Sequence, residues 1–340
     1  MASHYIQTKP SFSRALFKEY TDMTVLMDEN TSRHCYPLLR NQLPGHSCLV
    51  LPAGELYKNL DTCQMVWQHL TDHQLDRHGI VLVLGGGVLC DLGGFCASTY
   101  KRGIAFALVP TTLLAMADAS VGGKTGIDFG SYKNHVGTFS EPDAIWAATD
   151  FLKTLPAPEL RSGFAEIIKH ALIADVRLWK AISKKSLHEQ NFPQLVRHSV
   201  KFKTAITRKD PREKGLRKIL NFGHSVGHGM ESLGLYAGKP LLHGDAVAAG
   251  MVMEAHIAFG KKLLSSRDLE DITTYIIRVF GKVNLPDTDS LIKVMYQDKK
   301  NKGNRILMAF PKGIGKACFD QPVSEREIRD AAAYYLKYQT

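Results

Sequence analysis

Apolar residues in the first half of the chain fall in short continuous runs separated by stretches of helical period. Met23 to Met27 (MTVLM), Cys48 to Leu51, Ile80 to Leu84 and Ile104 to Val109 are almost wholly apolar and bounded by polar or turn residues, as strands covered on both faces are. Between them, Thr31 to Leu43, with an Asn or Thr as its cap, and Thr62 to His73 predict helices. Alternation of this kind implies βαβ units and a parallel sheet. After Pro110-Thr111-Thr112 a short helix begins at Leu113, and Gly122 to Gly137 predicts glycine-rich loops. From about Asp150 the pattern turns helical, with a boundary expected within 147–155. The division is an α/β domain over 1–150 and an α-helical domain over 151–340. Helices are expected over Pro158 to Ala174 and Ala246 to Phe259, a charged turn and a small strand over Gln297 to Gly315, and a last helix from Ser324. There is no internal repeat and no low-complexity tract.

Composition narrows the class. At 340 residues, 44% apolar and 22% charged, the chain suits a two-domain globular enzyme and neither a disordered nor a fibrous protein. No apolar run is long enough to span a bilayer, and MASHYIQTKPSFSR lacks the apolar core of a secretory signal, so a cytoplasmic protein is expected. Cys35, Cys48, Cys63, Cys90, Cys96 and Cys318 have no metal-ligand spacing and sit mostly among apolar neighbours, which argues for reduced thiols over a disulfide scaffold. The net charge of +10 comes without a basic run interleaved with aromatics, so a pocket for an anionic small molecule accounts for part of it as well as nucleic acid would.

Candidate chemistry concentrates in Arg217 to Val247, which gathers three histidines, an arginine and an asparagine. His224 and His228 share one helix face at i, i+4, and His243 follows in a Leu-Leu-His-Gly-Asp turn; the cluster could hold a metal or an anion, while any one of the histidines alone could be a hydrogen-bonded core residue. In Gly85 to Phe95 (GGGVLCDLGGF), three glycines between an apolar strand and a helix suit a dinucleotide pyrophosphate at a helix N-terminus; the sequence lacks the G-x-G-x-x-G spacing, and a tight turn with close strand–helix packing would use the same glycines. Asp118 is an isolated carboxylate. Lys124, Lys133 and Asn134 stand in the glycine-rich stretch, as groups for phosphate and hydroxyls or as loop polarity. Glu166, Lys169 and His170 fall at i, i+3 and i+4 on one face, as an exposed ion pair would, but in apolar surroundings where a carboxylate and an ammonium need partners or a metal, which makes Glu166 a further metal candidate; Lys203 and Arg217 flank a loop whose other charges read as solvated.

Taken together and in order, GGGVLCDLGGF, YKRG at Tyr100 to Gly103, VPTTLLA at Val109 to Ala115, DASVGGKTG at Asp118 to Gly126, the Lys133-Asn134 pair, SGFAEIIKHALI, GLRKILNFGHSVGH, LLHGDAV and DKK resemble the sugar phosphate cyclase family over nearly the whole length. The resemblance implies an N-terminal Rossmann-like domain holding NAD, an all-α C-terminal domain holding a divalent metal, usually zinc with cobalt as the alternative, and an active site in the interdomain cleft. It implies Glu166, His224 and His243 as metal ligands, with His228 facing substrate. It implies NAD contacts from Asp28, Asn30, Glu55, Lys58, Gly85, Gly86, Gly87, Val88, Asp91, Thr111 and Thr112, and also from Lys124 and Lys133. Asp118, Lys124, Lys133, Asn134, Lys169, Lys203, Arg217, Asn221 and His228 would line the substrate, with Lys299 or Lys300 near its phosphate. Arg102 would reach the neighbouring subunit's site in a homodimer. Cys90 stands where that family often has glycine, and the link Leu233 to Lys239 is longer than in many relatives; neither removes a functional group.

The activity so implied is ring closure of 3-deoxy-D-arabino-heptulosonate 7-phosphate to 3-dehydroquinate with loss of phosphate and transient use of NAD. Other sugar phosphate cyclases and metal-dependent polyol dehydrogenases of related fold are the rival enzymes; nucleic-acid binding rests on net charge alone, and no membrane role is expected.

Overall fold

A computed structural model describes residues 3–130, 132–297 and 305–338. The chain forms two compact units, one of residues 1–156 with 192–203, the other of residues 157–191 with 204–340.

Unit 1 runs β1 (Ser3–Gln7), β2 (Met23–Asp28), α1 (Glu29–His34), β3 (Ser47–Leu51), α2 (Leu60–Asp72), β4 (Ile80–Gly85), α3 (Gly87–Thr99), β5 (Ala105–Pro110), β6 (Lys124–Phe129), β7 (Tyr132–Phe139) and β8 (Ala144–Ala148). Six of the strands form one sheet in the order β1-β8-β5-β4-β2-β3, every pairing parallel. The apolar runs of β2 and β4 are explained by this position: both lie inside the sheet, and Val25, Leu26 and Val81 to Leu84 are fully buried. Helix α2 packs Cys63, Val66 and Leu70, at i, i+3 and i+7, into the core shared with Leu89, Leu92 and Phe95 of α3.

Two expectations change here, and two strands are added. The helix expected over residues 31–43 ends at His34 and continues as two 3₁₀ turns, Tyr36–Leu38 and Arg40–Gln42, because Pro37 lacks the N–H that an α-helix needs. The stretch expected to be loops is an antiparallel hairpin, β6 with β7. The edge strand β1 and its neighbour β8, absent from the sequence reading, close one side of the sheet, with Trp146 packed against Tyr5, Phe12 and Phe17.

Unit 2 contains α4 (Ala157–Ala174), α5 (Val176–Ile182), the end of α6 (Phe192–Lys209), α7 (His224–Tyr236), α8 (His243–Gly260), α9 (Ser266–Phe280), α10 (Thr288–Tyr296), β9 (Ile306–Pro311), β10 (Ala317–Val323) and α11 (Glu325–Lys337). Helix α8 is largely apolar and buried along most of its length, with α4, α7, α9 and α11 packed around it. The unit is helical as expected, with one addition: the small strand foreseen near the end is paired as the hairpin β9–β10. Ser265 and Ser324 start α9 and α11 with capping boxes to Asp268 and Glu327. Among the described residues no helix is long and apolar enough to cross a membrane.

Candidate active site

In unit 1 the candidate groups follow the C-terminal ends of neighbouring parallel strands: Asp28 and Asn30 after β2, Glu55 and Lys58 after β3, the glycine turn after β4, Thr111 and Thr112 after β5. From β2 the chain moves outward to β3, and from β4 outward the other way, so the sheet reverses direction between Asp28 and Gly85, where open α/β sheets take ligands. Gly86 is the N-cap of α3 and supplies no side-chain cap, which leaves the first backbone N–H groups of a 13-residue helix for a ligand. Among the described residues Thr111 Oγ1 is buried without a hydrogen-bond partner. Both features fit a dinucleotide. Close packing uses glycines of the turn and of the helix alike: a Cβ on Gly85 would lie 2.6 Å from Leu89, and one on Gly93 2.7 Å from Val83.

Lys58 is the centre of a polar network. Its Nζ donates to Asp91 Oδ2 at 2.6 Å and to Asn134 Oδ1 at 2.5 Å. Burial raises the Asp91 carboxyl above its ordinary value, opposed by the Lys58 ammonium. Asn134, in the left-handed region at φ 51°, donates its N–H to Asp128 Oδ1, and Lys133 Nζ lies 3.6 Å from Glu55. Lys203 Nζ is 2.7 Å from Asp118 Oδ2 and donates to the Asp118 carbonyl as well. Asp28 caps α1 by accepting from Thr31 N, while Lys124 and Arg102 are exposed, the latter on a left-handed turn.

In unit 2, Glu166 on α4, His224 at the start of α7 and His243 at the start of α8 converge. Glu166 is fully buried; its Oε1 lies 3.5 Å from His224 Nε2 and 3.4 Å from His243 Nε2, and Lys169 pairs with its other oxygen. One ligand atom from each of Glu166, His224 and His243 comes within 4.8 Å of the others. Close helix contact makes this possible: a Cβ on Gly244 would fall 2.1 Å from the Ser162 carbonyl of α4, and one on Gly250 would fall 2.1 Å from the Gly223 carbonyl, so α8 can approach both neighbours only with glycine there. The Nδ1 of each histidine faces an acceptor, Phe222 O at 3.2 Å for His224 and Glu231 Oε2 at 3.3 Å for His243, which turns both Nε2 atoms toward Glu166. Two imidazoles and a carboxylate, so aimed, fit a divalent metal such as zinc. Without one, burial works against charge on His243, but Glu231 and Glu166 outweigh it and push its pKa up to about 10.

The i, i+4 pair that first suggested a metal divides. His228 stacks edge-on to His224 with ring centroids 5.1 Å apart, but the Glu166 group excludes it. Arg217 is buried and donates to the Pro211 carbonyl. Asn221 donates to Glu213 at 2.6 Å; Glu213 stands among loop charges that look solvated in sequence, and its left-handed φ of 56° leaves no sequence signal. Lys299 and Lys300 lie outside the described residues.

Comparison with known proteins finds relatives over most of the chain. Residues 48–162 match the family described as 3-dehydroquinate synthase N-terminal, and residues 163–301 the one described as 3-dehydroquinate synthase C-terminal. A 3-dehydroquinate synthase of Parabacteroides distasonis is 37% identical over 93% of this chain and 92% of its own, and one of Nitratiruptor is 40% identical over 87% and 85%. Among solved structures, 2-epi-5-epi-valiolone synthase of Streptomyces hygroscopicus with NAD+ and Zn2+ superposes with a TM-score of 0.88 at 27% identity, covering 99% of this chain and 97% of that one. A 2-deoxy-scyllo-inosose synthase with carbaglucose-6-phosphate, NAD+ and Co2+ gives 0.81 at 25% identity, covering 92% and 90%.

Proposed function

This chain belongs to the 3-dehydroquinate synthase family, and from that premise we propose that it converts 3-deoxy-D-arabino-heptulosonate 7-phosphate into 3-dehydroquinate and phosphate, with NAD and one divalent metal. It is an enzyme of the shikimate route to aromatic amino acids. The observation that carries the reading is the convergence of His224 Nε2 and His243 Nε2 on Glu166 Oε1.

When bound, NAD and the metal, zinc or cobalt, supply a reversible hydride acceptor and charge withdrawal from an alcohol. Unit 1 would hold the nucleotide, its pyrophosphate at the Gly85 to Val88 turn and its remainder along Asp28, Asn30, Glu55, Lys58, Asp91, Thr111 and Thr112. Glu166, His224 and His243 of unit 2 would hold the metal. Lys124, Lys133, Lys169, Lys299 and Arg102 would meet the charge of the departing phosphate with positive charge. Asn134, Arg217 and Asn221 would orient hydroxyls and the carboxylate, with Glu213 fixing the amide of Asn221. His228 would move a proton at an imidazole nitrogen, and Lys203, paired with Asp118, would orient substrate. The final aldol closure joins two parts of one molecule, so holding its open chain folded supplies most of the advantage.

Arg102 would serve a partner subunit's site in a homodimer, a role consistent with its exposed turn. The free cysteines suit the cytoplasm. The test is phosphate release from the heptulosonate phosphate with catalytic NAD and zinc while absorbance reports NADH. Release without accumulating NADH, abolished by a chelator, is the expected outcome. Accumulating NADH would indicate a polyol dehydrogenase, and no release from folded, metal-replete protein would redirect the assignment to another heptulose phosphate.

A further inference from the structure

Two acidic side chains lie buried beside the histidine cluster without belonging to the Glu166, His224 and His243 set. Glu254, on α8, accepts the backbone N–H groups of Gly223 at 2.7 Å, Ser225 at 3.1 Å and Val226 at 3.2 Å, and so caps α7 from another helix. Glu231 does something else. It sits on α7 three residues after His228, 6% exposed, and its Oε2 is 3.3 Å from Nδ1 of His243 at the head of α8.

We propose that Glu231 is a positioning residue of the metal centre: its carboxylate takes the Nδ1–H of His243 and thereby presents Nε2 to the position shared with Glu166 and His224. The inference rests on the reading of Glu166, His224 and His243 as metal ligands. An imidazole can be anchored through either nitrogen, and only an acceptor at Nδ1 leaves the Nε2 lone pair directed at Glu166 Oε1, 3.4 Å away. His224 is anchored the same way, but by the neutral carbonyl of Phe222. A charged acceptor holds the ring more firmly and makes the opposite nitrogen a stronger donor to a cation. Both histidines open their helices, and His243 needs the firmer hold because its side chain is 26% exposed against 11% for His224. His228, Glu231 and His243 also bring ligand atoms within 4.8 Å of one another. A second cation there would require both nitrogens of His243 to be stripped of their protons, whereas the hydrogen bond requires only the ordinary neutral ring.

The experiment is zinc titration of the metal-stripped full chain against a chromogenic chelator, for the wild type, Glu231→Gln and His224→Ala, with circular dichroism of each. The glutamine keeps the volume and an oxygen acceptor but removes the charge. The wild type is expected to bind one zinc per chain and His224→Ala to lose it. Glu231→Gln, with a native spectrum, is expected to bind one zinc about 10- to 100-fold more weakly. Wild-type affinity in folded Glu231→Gln would overturn the inference alone. Two zinc ions on the wild type and one on Glu231→Gln would also overturn it, by making Glu231 a ligand. A wild type that binds no zinc would overturn the ligand reading beneath it.

Discussion

The glycine turn of unit 1 and the histidine cluster of unit 2 are built on opposite plans. The turn offers backbone: N–H groups at the start of α3, which stay in position whatever side chains surround them. The cluster offers side chains from three helices, and each needs an anchor of its own: Phe222 O and Glu231 for the two rings, Lys169 for Glu166, Glu254 for the first turn of α7. A site made of backbone should therefore tolerate substitutions nearby, and a site made of side chains should fail through residues that touch neither metal nor substrate.

The largest effect is expected at the ligands themselves. His243→Ala should empty the centre of metal and lower turnover by at least about 10³-fold, corresponding to the several kcal/mol that a Lewis acid supplies; metal analysis beside a phosphate-release assay checks it, and full metal content with wild-type turnover would remove His243 from the set. Next comes Glu254→Met, which fills the space but leaves three buried N–H groups without their carboxylate. A loss of about 3–5 kcal/mol in stability of the metal-free protein is expected from urea unfolding. A loss below about 1 kcal/mol would mean that α7 finds another cap.

Those two carboxylates mark the limit of what the sequence discloses. The apolar runs of β2 and β4 are plain because burial on both faces permits little else, and the glycine turn, the clustered histidines and the Glu166–Lys169 spacing are local patterns. Glu231 and Glu254 stand three residues after His228 and in the middle of an apolar helix, and each acquires its meaning from a partner 12 or about 30 positions away. The same distance hides β1: SHYIQ has no run that announces a strand, and it becomes one by pairing with AIWAA at the far end of unit 1. The hairpin β6–β7 was concealed by its glycines, which read as loop although Gly126 and Gly137 face each other across two strands that approach too closely for a side chain. Resemblance to a family, by contrast, reassigned His228 from the metal to the substrate, which residue spacing alone could not do.

On the unit 1 side the network around Lys58 is a place where side chains set the geometry. Asp91→Ala removes the carboxylate from an ammonium that is 4% exposed. Since Asp91 itself is 21% exposed, water takes up part of the loss, and about 2–3 kcal/mol of stability is expected instead of the full cost of breaking a buried pair. NAD affinity should fall with it, read by fluorescence titration; unchanged affinity in folded protein would separate the Lys58 network from the nucleotide.

The smallest effect tests the backbone plan most directly. Cys90 lies in the first turns of α3, fully packed, its Sγ 3.6 Å from the Gly85 carbonyl, and burial holds its thiol well above the ordinary range. Such a thiol is a small apolar plug, inert to alkylation in the folded protein. Cys90→Ala removes one buried atom and leaves every N–H of the turn where it was, so a loss of about 1 kcal/mol in stability is expected with NAD affinity unchanged. If affinity falls several-fold while the fold is kept, the turn depends on side-chain packing beneath it, and the contrast with the histidine cluster is one of degree.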